Sequence, residues 1–406
     1  MHTIEIVSAE DLEATRARLR AARNVVVKVG SNVLVGGGGS GVINRRVFTS
    51  LVEDLVDVSE IANRIVILVT SGAVALGRRI TGRALVPGQP DSLSVKQALA
   101  AVGQPSLMHL YNEEFAFYGK TVAQLLLTRD DFEDRERFLT ARTTLRELSG
   151  MENVIPIINE NDTVANAEIR FGDNDQLASL VAGLVEADLL IILSDVDAIY
   201  DSNPTVNRSA RPLKAVYADD PTLNDIAEPP VTGSYGTGGM ETKVRAARIA
   251  ATYGIPTVIA AGRGQDTLGH ILRGDEIGTV VVPRGHHLSA RKGWIRFGAR
   301  AVGAISLDQG ATVAVRGLGK SLLPTGITGV SGDFRAGEAV SLVNPDGNEI
   351  ARGLVAYSAD DLRKIAGRRS DEIHGILGFH NGDVAVHRDD LVLVDQLALD
   401  SEVEDT

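Results

Sequence analysis

The 406-residue chain contains no cysteine. That excludes disulfides, a thiol nucleophile and thiolate metal ligands. Aromatic residues make up only 4% of it, which leaves little surface on which nucleobases could stack. Positive charge is in deficit. Lys and Arg total 41 against 53 Asp and Glu, a net charge of −12, which argues against bulk attraction to nucleic acid or anionic lipid. No apolar run approaches the ~20 residues of a membrane-spanning helix. Met1-His2-Thr3-Ile4-Glu5 lacks the basic-then-apolar pattern of a secretion signal, so the expectation is a cytoplasmic protein with no membrane partner. The eight histidines are scattered, with His109 on a helical segment and His286-His287 in a Pro/Gly-rich stretch, and none has metal-ligand spacing. There is no Ser/His/Asp order, no G-x-x-x-x-G-K-[ST] loop and no G-x-G-x-x-G opening a strand–helix unit.

Gly236-Thr237-Gly238-Gly239-Met240-Glu241-Thr242-Lys243 runs straight into an amphipathic helical pattern. Glycines let backbone N–H groups approach an anion closely. The helix adds its positive N-terminal end and Lys243 a mobile full charge, a combination suited to phosphate. A second lysine, Lys28 in Val27-Lys28-Val29-Gly30-Ser31, closes the first strongly apolar run. Either feature alone also reads as plain structure.

Apolar runs at residues 24–29, 64–69, 121–127, 153–158, 187–193 and 255–260 alternate with helical patterns at 44–62, 94–118, 135–148, 174–186 and 240–253. Apolar content on both faces of these runs predicts a parallel-type sheet covered by helices on both sides. The fold class expected is an α/β, three-layer αβα sandwich with a mostly parallel sheet, spanning residues 23–283. A charged helix at 8–22 reads as an N-terminal extension, residues 1–22. Pro283-Arg284-Gly285-His286-His287 opens an expected linker, 284–300. Short β-like runs at 303–307, 311–315, 339–342, 350–355 and 384–386, with one helix at 358–366, predict a small mostly-β domain over 301–385. An acidic tail, 386–406, follows.

Gly30-Ser31, Thr70-Ser71-Gly72, Asn159-Glu160-Asn161-Asp162 and Ser194-Asp195 each follow one of the apolar runs. Ligands of parallel sheets bind at those strand ends. An Asx turn and a helix cap account for Asp173 in Gly172-Asp173-Asn174-Asp175 as well as ligand binding does. Two such polar clusters at one sheet edge favour a polar, amino-acid-like ligand, with Asn and Asp accepting from an ammonium and Ser71 donating to a carboxylate. Phosphoryl transfer needs positive charge and alignment, and a carboxylate acceptor has no proton to lose.

These residues carry a resemblance to a known family. From about residue 24 to about 390 the chain resembles the glutamate 5-kinases of the amino-acid kinase superfamily, in the form with a C-terminal PUA domain, a small β barrel. The stretches that carry it are Val27-Lys28-Val29-Gly30-Ser31, Leu68-Val69-Thr70-Ser71-Gly72-Ala73, Asp134-Arg135-Glu136-Arg137-Phe138, Asn159-Glu160-Asn161-Asp162, Phe171-Gly172-Asp173-Asn174-Asp175 and Gly236 to Lys243. The resemblance implies ATP-dependent phosphorylation of the γ-carboxylate of L-glutamate, the first step of proline biosynthesis. It implies Lys28 and Lys243 as the pair on the migrating phosphoryl group, with Asp175 organising them. Ser71, Asp162 and Asn174 match glutamate-binding positions, with Asp173 and Asn159 beside them. Lys28, Gly30, Ser194, Asp195, Thr237, Gly238, Gly239, Met240, Glu241, Thr242 and Lys243 match ATP-binding positions. Mg²⁺ on the phosphates, proline as inhibitor, a homo-oligomer (dimer or tetramer) and a transient complex with glutamyl-phosphate reductase are implied too.

The chain departs from the family pattern at Ser31-Asn32, in the length of the Gly36–Gly39 run, at Ser194 in place of Thr and at Asp201. None of these removes an implied catalytic group. A sister activity, acetylglutamate kinase or aspartokinase, stays open on these residues. So does a regulatory, RNA-binding role for the C-terminal domain. Residues 301–380 carry 8 Lys+Arg against 9 Asp+Glu, a net of −1, where an RNA-binding surface usually has a basic excess. That leaves only Arg363, Lys364, Arg368 and Arg369 as a local patch, and a solvated helix face is the simpler reading of them.

Overall fold

In the computed structural model, which describes residues 4–35, 41–61, 64–83, 91–165, 174–204, 206–226, 239–285 and 288–393, the apolar runs become strands. The first unit comprises residues 1–130 and 139–287. Its strands are β1 (Asn24–Val29), β2 (Ile65–Val69), β3 (Thr121–Leu127), β4 (Val154–Glu160), β5 (Leu189–Ser194), β6 (Ala215–Tyr217), β7 (Thr257–Ala261) and β8 (Thr279–Val282). They form one sheet in the order β3-β4-β2-β1-β5-β7-β8-β6. Every pairing is parallel except β7 with β8.

Strand residues alternate between faces, and the alternation decides what each meets. Val25, Val27 and Val29 of β1 share a core with Phe48, Leu51 and Leu55 of the helix Arg45–Glu60 and with Leu107, Tyr111 and Phe115 of the helix Leu93–Phe117. Val26 and Lys28 point the other way. That face is covered by the helices Asn174–Leu184 and Met240–Thr252. A lysine in the fourth position of an otherwise all-valine core stretch is thereby aimed between two helix starts.

Helix Ala73–Thr81 lies against the Leu93–Phe117 helix with almost no separation. A Cβ on Gly77 would stand 1.8 Å from the Leu99 carbonyl oxygen, and one on Gly103 would stand 1.8 Å from that of Ala73. Only glycine permits backbones this close. Residues 8–22, expected as an extension, belong to the fold instead. Ser8 caps the helix Ala9–Ala21, and Leu19 is buried in the same core as β1.

The second unit comprises residues 131–138 and 288–406. Its sheet has the order β10-β9-β11-β12-β13, from β9 (Gly303–Leu307), β10 (Ile327–Gly332), β11 (Ala339–Val343), β12 (Glu349–Val355) and β13 (Val386–Leu393). Three expectations are corrected here. Residues 311–315, expected as a strand, lie in the helix Gln309–Leu318. Asp308 caps it by accepting from the Ala311 N–H, and Thr312 and Val315 supply a buried stripe at helical spacing. The expected linker is packed structure: Trp294 is buried, and its indole N–H donates to the Phe132 carbonyl at 2.6 Å. The expected tail begins with strand β13, so only its last residues, 394–406, lie outside the described chain. No helix among the described residues is long and apolar enough to cross a membrane.

Candidate active site

Five adjacent strands, β4, β2, β1, β5 and β7, run parallel and end together. Their C-terminal ends carry the site. At its centre Asp175 is fully buried and ion-paired on both carboxylate oxygens. Lys28 Nζ pairs with Oδ1, and Lys243 Nζ lies 3.4 Å from Oδ2. Both lysines are 5% exposed. Thr242 Oγ1 sits 3.0 Å from Asp175 Oδ2 and 2.9 Å from the Gly239 carbonyl. Burial opposes ionisation of Asp175, but the ammonium groups of Lys28 and Lys243 outweigh it and hold the carboxyl below its ordinary range.

The helix starts shape this trio. Asp175 occupies the first turn of its helix, where the macrodipole favours a carboxylate. Lys243 occupies the first turn of its own helix, where the dipole disfavours a cation. Its ammonium curls back to the Gly239 carbonyl at 3.2 Å. Two lysines share this one carboxylate beside a helix N-terminus, a setting suited to an anion.

On the β5 side, Ser194 Oγ lies 3.1 Å from Asp195 Oδ1, and Asn32 Nδ2 donates to Asp195 Oδ2 at 3.0 Å. Burial raises the Asp195 carboxyl, but the hydrogen bonds from Asn32 and Ser194 leave it lowered overall. Gly30 N–H donates to the Leu193 carbonyl at 3.2 Å, Gly262 N–H to Ser194 at 2.8 Å, and Arg263 to the Asn32 carbonyl at 2.7 Å. These bonds lock the turns after β1, β5 and β7 to one another.

On the β2 and β4 side neutral groups surround Asn174, with the carboxyl side chains of Glu160 and Asp162 at the end of β4. Asn174 Nδ2 reaches the Thr70 carbonyl at 2.7 Å, Ser71 Oγ at 2.8 Å and Asn159 Oδ1 at 2.8 Å. Asn159 Nδ2 donates to Gln104 Oε1 at 2.9 Å. Thr70 Oγ1 pairs with the Tyr111 hydroxyl at 2.8 Å, and burial pushes that phenol up, keeping it neutral. Asn174 and Asp175 are consecutive, so one helix start serves both sides.

The Amino acid kinase family model matches residues 23–261. The chain belongs to the amino acid kinase family. A PUA domain model matches residues 303–377. The curated Glutamate 5-kinases of Escherichia fergusonii and Escherichia coli (strain K12 / DH10B) are each 47% identical to it over 371 residues, which is 91% of this chain and 99% of theirs. Among solved structures, the carbamate kinase from Giardia lamblia bound to AMP-PNP aligns with a TM-score of 0.46 at 18% identity, over 65% of this chain and 100% of that one.

In this amino acid kinase the geometry brings Lys28, Asp175 and Lys243 into one cluster and Ser71, Asn159 and Asn174 into its neighbour. Gly30, Ser194 and Asp195 line the turns beside them, and Gly239, Met240, Glu241 and Thr242 form the helix start. Asp162 is half-buried in the turn after β4. Asp173, Thr237, Gly238 and the Gly36–Gly39 run lie outside the described residues. The sequence reading missed Gln104 and Tyr111, named Thr70 only within a strand-end motif, and noted Asn32 only as a departure. Gln104 had a usable signal: it is a polar residue between Gly103 and Pro105, on the stripe that also buries Leu99, Ala100, Leu107 and Tyr111.

Proposed function

We propose that the protein transfers the γ-phosphoryl group of ATP to the γ-carboxylate of L-glutamate, giving L-glutamyl 5-phosphate and ADP, the opening step of proline biosynthesis. The observation that carries this is the buried Lys28–Asp175–Lys243 trio lying next to a cluster of neutral amides at the same strand ends. The 47% identity to Glutamate 5-kinases over nearly their whole length supports glutamate as the acceptor.

In this reading a γ-carboxylate oxygen attacks the γ-phosphorus, and the bond from that phosphorus to the β–γ bridging oxygen breaks. The acceptor is already anionic, so no general base is needed. Asp175, doubly paired and ionised, is not a base; it spaces the two ammonium groups. Lys28 and Lys243 meet the charge on the migrating group and the leaving ADP, and the Met240–Thr252 helix start adds its dipole. Gly30, Ser194, Asp195 and the 237–243 stretch hold the nucleotide. Ser71, Asn159, Asp162, Asp173 and Asn174 hold the amino acid. Among the described residues no group of three or more Asp, Glu or His side chains is placed to hold a metal. Mg²⁺ brought in with the nucleotide would supply charge neutralisation there.

The same reading makes proline a competitor at the acceptor side and the reaction cytoplasmic. It gives the chain a homo-oligomeric assembly and a reductase that takes up the labile acyl phosphate. The direct test incubates the protein with ATP, Mg²⁺ and L-glutamate and traps product with hydroxylamine. Glutamyl hydroxamate from the wild type, lost in Lys243→Ala, is the expected result. Product only from N-acetylglutamate or aspartate would move the substrate; no product from any acceptor would sink the kinase reading. Activity unchanged by saturating proline would remove the inhibitor.

A further inference from the structure

We propose that Gln104 is a positioning residue that makes the acceptor site selective for an amino acid with a free α-ammonium group. The inference rests on the glutamate-kinase reading above and extends it to the basis of selectivity.

The side-chain amides form a relay whose polarity is set by two backbone groups. The Glu160 N–H can only donate, and it donates to Asn159 Oδ1 at 2.9 Å. The Thr70 carbonyl can only accept, and it accepts from Asn174 Nδ2. Asn159 must therefore present its oxygen to Glu160 and Asn174, and its amide nitrogen to Gln104. Gln104 in turn presents Oε1 to that nitrogen. With every direction fixed, two atoms are left over. Asn174 Oδ1 and Gln104 Nε2 are buried with no hydrogen-bond partner.

A buried polar atom without a partner is costly, so two such orphans at a binding site mark where a ligand completes the network. These two have opposite sense. The carbonyl oxygen suits an ammonium and the amide nitrogen suits a carboxylate, the two groups on the α-carbon of an amino acid. Gln104 is 8% exposed and sits on a helix held by the Gly103–Ala73 backbone approach, so its side chain has little freedom to turn. By anchoring the Asn159 amide nitrogen it reinforces the orientation that the Glu160 N–H sets, and holds Asn159 firmly against Asn174, whose Oδ1 is left for the ammonium. An N-acylated or des-amino acceptor offers no cation there.

The test measures hydroxamate formation from L-glutamate, glutarate (no ammonium) and N-acetyl-L-glutamate (blocked ammonium). The proteins are wild type, Gln104→Met and Gln104→Glu. Wild type should prefer glutamate over both analogues by about 10- to 100-fold in kcat/KM, the range of a hydrogen bond to a charged group. Gln104→Met keeps the volume but cannot accept from Asn159. It should raise KM for glutamate about tenfold, leave KM for ATP unchanged and shrink the preference over glutarate to about threefold. Gln104→Glu still accepts from Asn159 and should keep the preference, while loss of the amide N–H offered to the carboxylate raises KM for all three acceptors alike. A purely structural role would lower kcat and Tm for every acceptor together with the preference intact, and that result overturns the proposal. So does a wild type that uses glutarate as well as glutamate, which decides the matter even if Gln104→Met fails to fold. A wild type that makes no hydroxamate from glutamate removes the kinase reading itself; indifference to the ammonium in an active wild type removes this inference alone.

Discussion

The two halves of the site solve opposite problems with opposite chemistry. The phosphoryl half is built of full charges, Lys28, Asp175 and Lys243, all buried and paired to one another. The proposed acceptor half is organised by neutral amides and hydroxyls, Gln104, Asn159, Asn174 and Ser71, joined in a directed relay beside the Asp162 turn. Lone ammonium groups cannot wait in a dry interior, so the lysines need a resident counter-charge. Asp175 supplies one that two cations share. The amides carry no charge to neutralise. Their constraint is direction, and direction comes from backbone N–H and C=O groups that cannot be turned around. One helix start, Asn174-Asp175, belongs to both halves and fixes their spacing.

The largest break in this contrast is removal of the counter-charge. Asp175→Ala removes a shared counter-charge from two buried ammonium groups and should cost about 3–5 kcal/mol in urea unfolding. Asp175→Asn should lower hydroxamate formation about 10³-fold, as should Lys243→Ala. Asp175 is held below its unfolded value, so its stabilisation is present above about pH 4 and is lost as the pH falls through the folded-state value. Asp175→Asn should lack that acid limb.

Gly103→Ala attacks the acceptor half through its scaffold. The added methyl meets backbone, not a movable side chain, and should cost about 1–3 kcal/mol by thermal denaturation. It should raise KM for glutamate more than KM for ATP. Asn32→Ala attacks the nucleotide side, loosening Asp195, and should raise KM for ATP about tenfold while sparing KM for glutamate. If these two variants changed both constants equally, the halves would not be separable.

The smallest effect is expected at Asp54. Its carboxylate, on the helix Arg45–Glu60, accepts from the Asp266 N–H at 3.0 Å and the Leu268 N–H at 3.3 Å, behind the turn that carries Gly262 and Arg263. Burial lifts this carboxyl to about 6, against hydrogen bonds from the Leu268 and Asp266 amides that lower it. A raised carboxyl favours folding while protonated, so stability should decline as pH rises from about 4 to 6. Asp54→Asn should flatten that decline in urea titrations, with little change in turnover at neutral pH.

Much of the main sheet was legible because its strands are buried on both faces. Val25-Val26-Val27 and Leu189-Leu190-Ile191-Ile192 have no helical alternative of similar length and flanking turns. The short strands β6 and β8 were missed, since three or four apolar residues carry little periodicity. Thr312-Val313-Ala314-Val315 was read as a strand from its β-branched residues; the Asp308 cap and helical burial overrode that propensity. In the site, the charged residues were legible in combination, because a lysine in an apolar strand and a lysine after a glycine run each read as plain structure alone but together suit a phosphate. Gln104 was less plain, since it is one of several polar residues in a long helix and only its place on the buried stripe sets it apart.

The sequence by itself determined which residues are chemically equipped: two lysines, one acidic helix start and polar turns after apolar strands. Local pattern suffices for that, because burial and turn chemistry are written in neighbouring residues. Only the tertiary structure decided which of them meet. Lys28, Asp175 and Lys243 are separated by 147 and 68 positions, and Gln104 lies 55 positions from Asn159. Their contacts arise from the strand order and from the face each strand residue takes. The direction of the amide relay comes from backbone groups of strands that the chain order does not place side by side.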